Sequence, residues 1–166
     1  MTDEFNSNEN FDEVDALNNM DFNVEEEYKP EPLIPAMTYH GVVQSVVFNP
    51  SQYCIVWTIQ LQDNGGVMSD GETEIDGNAV QFRNWLPKPN DENLTTKRGN
   101  MTKRQSKINM LKDFQNEMGI DMSTPQIIAQ SLAEAAWVGI EVDIDVTLDE
   151  YMGKFRNSAN RMRPAA

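Results

Sequence analysis

The sequence predicts a mainly β domain with inserted helices, and three observations carry that prediction. Four stretches are rich in β-branched and aromatic residues, three of them alternating polar and apolar positions with a period of two, and the tight DEYMG turn adds a fifth strand. Between the third and fourth of them the apolar spacing lengthens to three or four, the helical period. Gly, Asn, Asp and Pro fall at the joints. The order is strand-strand-strand-helix-helix-strand-strand.

The chain opens on a segment of different character. Residues 1–27 hold ten acids, no Lys or Arg, and isolated apolar residues such as Phe5, Phe11, Val14 and Leu17 at no sustained period. Such a segment buries too little surface to offset its ordering entropy, so a disordered acidic arm is expected over 1–27. Residues 28–37, with the prolines of KPEPLIPA, read as an extended lead-in. The folded domain is expected over 38–162, followed by a tail at 163–166.

TYHGVVQSVVF, 38–48, is the first strand. The second, from Tyr53, sets Tyr53, Ile55, Trp57, Ile59 and Leu61 on one face and Cys54, Val56, Thr58 and Gln60 on the other, and the short NPSQ before it makes the pair a hairpin. DNGGVMSDGETEIDG, 63–77, is loop. In the third strand, from Ala79 to Leu86, Val80, Phe82 and Leu86 face inward while Gln81, Arg83 and Trp85 face out. Ile108, Leu111, Phe114 and Met118 mark one side of a helix over 102–118, stopped by Gly119. Ser123-Thr124-Pro125 opens a second helix with Ile127, Ile128, Leu132 and Ala135 as its apolar side. From Trp137 to Leu148 the period returns to two, with Glu141, Asp143, Asp145 and Thr147 outward. Tyr151 and Gly153 form a turn into a last strand, Lys154 to about Asn160, whose Phe155 points to the core.

This order is that of the OB-fold, a five-stranded Greek-key barrel whose exposed face and loops bind oligonucleotides or oligosaccharides. A mixed α+β sandwich with the same order is the structural alternative.

Charge is segregated along the chain. The formal net charge is −14, yet the arm supplies ten of those negative charges, and from Arg83 to Lys112 eight bases stand against only Asp91 and Glu92. After Glu150 come Lys154, Arg156, Arg161 and Arg163 with no further acid. A single cysteine, Cys54, excludes an internal disulfide and a cysteine-based zinc cluster. No stretch approaches the apolar length of a membrane span and no signal sequence is evident, so a soluble cytoplasmic protein is expected. No enzyme motif appears: His40 is the only histidine, and phosphate loops, nucleophile elbows and zinc motifs are absent. No cofactor or metal is expected. Glu141, Asp143 and Asp145 share a face but project in parallel, which favours a solvated or structural role.

The binding candidates are cations near aromatics. Arg83 and Trp85 on one strand face suit a stacked base with its phosphate, against the alternative that Trp85 packs beneath the next loop. Lys97, Arg98, Lys103, Arg104 and Lys107 surround Gly99 and Asn100, and the last three crowd a helix N-terminus that ordinarily prefers acids; an external anion or a plain solvated face explains them. Lys154 and Arg156 share a strand face and serve either phosphate or the acids 141, 143 and 145 across the hairpin. Arg161 and Arg163, beyond that strand, are freer for phosphate.

Through CIVWTIQLQDNGG, FRNWLPKPNDE, NMLKDFQNEMGI and VDIDVTLDEYMGKFRNSANRM, residues 28–162 resemble bacteriophage single-stranded DNA-binding proteins of the OB-fold type. The resemblance implies sequence-independent coating of single strands in DNA replication, recombination or repair, without catalysis. Replication or recombination proteins would then be partners, recruited through the acidic arm by Phe5, Phe11 and Phe22. The rival reading is a protein-binding adaptor or virion assembly component with no nucleic-acid role. Oligomeric state is left open.

Overall fold

The computed structural model describes residues 12–166, which fall in two units, Met1–Glu31 and Pro32–Ala166. In the first, residues 12–18 are helical and Val24–Glu27 adds one turn, capped by Asn23, whose Oδ1 accepts the N–H groups of Glu25 and Glu26. Within 12–27 local capping supplies these short helical turns, and no side chain there is buried, in keeping with an arm that has no core of its own. Residues 1–11, with Phe5 and Phe11, lie outside the described residues.

The second unit contains β1 (Met37–Asn49), β2 (Cys54–Leu61), β3 (Ala79–Trp85), a 3₁₀ turn (Asp91–Asn93), α1 (Lys103–Met118), α2 (Pro125–Ala133), β4 (Glu141–Tyr151) and β5 (Lys154–Pro164). One antiparallel sheet runs β3-β2-β1-β4-β5. Returning β4 to lie beside β1 makes the first four strands a Greek key.

The sheet does not close into the expected barrel. Its edges, β3 and β5, lie close together without pairing, and α1 packs on both. Phe114 of α1 stacks on Phe82 of β3 at 5.5 Å, and Glu117 accepts a hydrogen bond from Arg161 of β5 at 2.7 Å. Helix side chains occupy the join that a backbone ladder would otherwise make.

Burial explains the strand assignments. Ile55, Trp57, Ile59 and Leu61 are fully buried as the alternation requires, with Tyr39, Val43, Val142, Ile144 and Met162 around them. Cys54 and Val56, expected on the open face, are buried as well. On that face Trp85 stands opposite Cys54 and Arg83 opposite Val56, so long side chains flank the small ones and shield them. Trp57 is the centre of the core: its ring stacks on Trp137 at 5.3 Å and meets Phe114 edge-on at 5.5 Å, while its N–H donates to buried Asn84 Oδ1 at 2.6 Å. That last bond explains a polar residue at an inward position of β3.

Local signals set the joints. Asn49 Oδ1 accepts from Ser51 N–H and Gln52 N–H and so shapes the turn between β1 and β2. Thr102 and Thr124 cap the two helices, and Gly119 ends α1 in the left-handed conformation its position requires (φ 68°). Residues 134–139 form turns, so β4 begins at Glu141 and Trp137 is a core residue of the preceding loop. A bulge at Gln44 interrupts the β1–β2 register just past Val42, the last residue of β1 that pairs with β4. Gly41 lies where β1 pairs with both neighbours, and a Cβ there would sit 2.5 Å from Ile59 Cγ2.

At the end of the chain, β5 runs past the expected boundary. Arg163 pairs with Asp143 and Pro164 with Val142, while Ala165 N–H donates to Glu141 O, so residues 163–165 belong to the sheet. The turn before β5 is Met152–Gly153, both with positive φ (50° and 77°), the two-residue geometry that matches strand twist.

Candidate nucleic-acid interface

Three groups of side chains come to the surface around this sheet. The first is the open face of β3. Gln81, Arg83 and Trp85 point outward as expected; Trp85 is 41% exposed, and the Arg83 guanidinium donates to Gln81 Oε1 at 3.0 Å. Trp85 is therefore not sealed beneath a loop. The sealed Cys54 and Val56 beside it give the ring and the guanidinium a rigid floor.

The second group is a basic finger. A Thr95–Thr102 bridge, Thr96 N–H donating to Met101 O and Gly99 N–H donating to Thr96 O tie residues 95–102 into a tight turn, with Gly99 at φ 70°. Lys97 and Arg98 stand exposed at its tip, and Lys103 is exposed at the start of α1. Lys107, expected as a phosphate ligand, is engaged elsewhere. Its Nζ donates to Asp91 Oδ2 at 2.7 Å, and Asp91 is almost wholly buried. That bond first, then the Lys88 N–H at 2.7 Å, holds the Asp91 carboxyl below the usual carboxylate range. The pair anchors the 3₁₀ turn to α1 at the base of the finger. Arg104 is exposed too, but it borders an apolar groove between the helices and the sheet.

The third group is the tip of the β4–β5 hairpin. β1 starts at Met37, opposite Val146, so from Thr147 onward β4 and β5 have only each other as strand partners. Core ends there while the alternation continues. Phe155, expected to point into the core, is consequently 57% exposed, and Tyr151 and Met152 are exposed with it. Lys154 and Arg156 are exposed and form no ion pair among the described residues; the Arg156 guanidinium sits 5.1 Å over the Tyr151 ring. Tyr151 and Phe155 are the site residues that sequence reading missed. Their signal was a hairpin whose alternation outruns the length of β1.

The register reverses the expected ranking of the C-terminal cations. Asp143 faces Arg163 and Asp145 faces Arg161, whereas Arg156 faces Asp149. Arg161 donates to Glu117, and Arg163 donates to Asp145 at 3.1 Å. Asp145 also accepts from Thr38 Oγ1 at 2.6 Å, and these bonds, Thr38 first, pull its carboxyl below the usual range. Arg161 and Arg163 thus serve the fold, and Lys154 and Arg156 are the freer pair. Half of the ambiguity of this hairpin is resolved by length: the acids lie over β1, the free cations beyond it.

Among the described residues, no three His, Cys, Asp or Glu side chains are grouped to hold a metal ion, and no helix is long and apolar enough to cross a membrane. Comparison of the sequence with protein-family models gives no match, and comparison with curated proteins gives none of significant similarity.

Proposed function

We propose that the chain binds single-stranded DNA without sequence preference, on a surface made by the open face of β3, the basic finger and the β4–β5 hairpin. One observation carries this reading: exposed aromatic rings stand beside cations that form no ion pair among the described residues on two separate elements, Trp85 with Arg83 and Tyr151 and Phe155 with Lys154 and Arg156. Every base has a π-face and every nucleotide a phosphate, so this chemistry is indifferent to sequence. The strand order and the use of a β3 face and the loop between β4 and β5 suit an OB-like module. The resemblance to phage single-strand binders supports a role in DNA replication, recombination or repair, with the acidic arm modulating binding or recruiting partners. The residues offer no nucleophile or acid-base pair at this surface, which favours binding over catalysis.

Binding of fluorescent oligo-dT, followed by anisotropy, tests the reading. Trp85→Ala and the double variant Tyr151→Ala/Phe155→Ala are each expected to weaken binding with the fold intact; unaltered affinity in both would remove the proposed surface.

A further inference from the structure

A groove of about 560 Å³ opens between the helices and the turn joining β1 to β2, away from the outward rings of β3. Its walls are apolar: Phe48, Tyr53, Ile108, Leu111, Ile128 and Leu132 line it, and three of these, Phe48, Tyr53 and Ile108, are more than a third exposed. Its charge is of one sign. Arg104 lines the groove, as do Ser123, Thr124 and Pro125 at the N-terminus of α2, and no carboxylate does. The nearest acid in sequence, Asp121, accepts from the N–H and hydroxyl of Ser123. Tyr53 is held at the rim with φ 52°, a conformation costly for a bulky residue, and its carbonyl accepts from Leu86 N–H.

We propose that this groove docks an acidic peptide segment of a partner protein, one large apolar side chain entering the groove and flanking carboxylates meeting Arg104 and the α2 N-terminus. Charge complementarity selects this occupant. An apolar wall with a cationic rim rewards an apolar anchor beside negative charge. A nucleobase fits less well, because its ring edges carry donors and acceptors that aliphatic walls leave unpaired. The groove shares no lining residue with the proposed DNA surface, so the full-length protein would carry a strand and a partner at once.

The test uses the full-length protein and a fluorescein-labelled peptide, Asp-Glu-Asp-Leu-Asp-Glu-Phe-Asp, with oligo-dT measured in parallel. Ile108→Ser, at an exposed position, is expected to weaken peptide binding at least fivefold and leave oligo-dT affinity within twofold, and Arg104→Ala is expected to weaken peptide binding at least fivefold. Trp85→Ala is expected to do the reverse. Peptide binding insensitive to both groove variants overturns the proposal, as does complete displacement of the peptide by oligo-dT, which would make the groove part of the DNA surface. Binding that is seen only after Leu17, Met20 and Phe22 are changed to Ser would show that the chain's own acidic segment is the occupant, and would overturn the assignment to a partner. Loss of oligo-dT binding in the wild type with peptide binding retained would sink the DNA reading alone.

Discussion

At the scale of single residues, two tryptophans on neighbouring strands take opposite places. Trp57 is fully buried with its N–H on Asn84, and Trp85, on the next strand, is open to solvent. Asn84→Ala should leave the Trp57 N–H without a partner and cost about 1–3 kcal/mol of stability, read from urea unfolding; a loss below about 0.5 kcal/mol would mean that water replaces the amide. Trp85→Ala should instead leave stability nearly unchanged and lower oligo-dT affinity by about 1–3 kcal/mol, the worth of one stacked base. Gly41→Ala tests close approach: with a Cβ 2.5 Å from Ile59, overpacking should cost about 1–3 kcal/mol. Asp91 supplies a pH dependence. Its folded pKa lies below the unfolded value, so its contribution is present above the ordinary carboxylate range and is lost as pH falls through the lower, folded value. Asp91→Asn should therefore flatten the acid limb of stability against pH, and an unchanged limb would assign that limb to other carboxylates. These residue roles were legible only in part. Alternation put Trp85 outside and Trp57 inside, but pairings such as Lys107 with Asp91 join residues sixteen apart across a turn that no period encodes.

At the scale of elements, strand length decided what alternation alone could not. Period two correctly separated the faces of β2, β3 and β4, and helix signals placed both ends of α1 and the start of α2 to within a residue, whereas Ala135, expected on the apolar side of α2, lies past its C-cap with φ 50°. The misreading of Phe155 arose because alternation says which face a residue takes, not whether any core remains beneath it. The β4–β5 hairpin runs beyond β1, and its inward face there meets solvent. The same blindness affected Arg161 and Arg163, since register, set by a bulge between Asp145 and Val146, is invisible in the sequence of either strand. The hairpin is thus separable from the core. Tyr151→Ala/Phe155→Ala should weaken oligo-dT binding at least tenfold while the thermal midpoint moves by no more than a few degrees; a large fall in midpoint would return these rings to the core.

At the scale of the whole molecule, net charge and charge distribution point in opposite directions. The chain carries −14, yet Arg83, Lys97, Arg98, Lys103, Lys154 and Arg156, none of them in an ion pair among the described residues, lie on the β3 face, the basic finger and the hairpin, and residues 1–27 hold no Lys or Arg. On the proposed function, a polyanionic arm tethered to such a domain would compete with DNA at high effective concentration, so removal of residues 1–27 is expected to tighten oligo-dT binding at low salt. Equal affinity would leave the arm no part in binding. The central claim is best tested by titrating oligo-dT against the intrinsic tryptophan fluorescence of the full-length protein over a series of salt concentrations. The account predicts quenching that disappears in Trp85→Ala, and a log–log slope of affinity against salt of about −4.2, which is 0.7 for each of the cations Arg83, Lys97, Arg98, Lys103, Lys154 and Arg156. No quenching and no binding at low salt would contradict it.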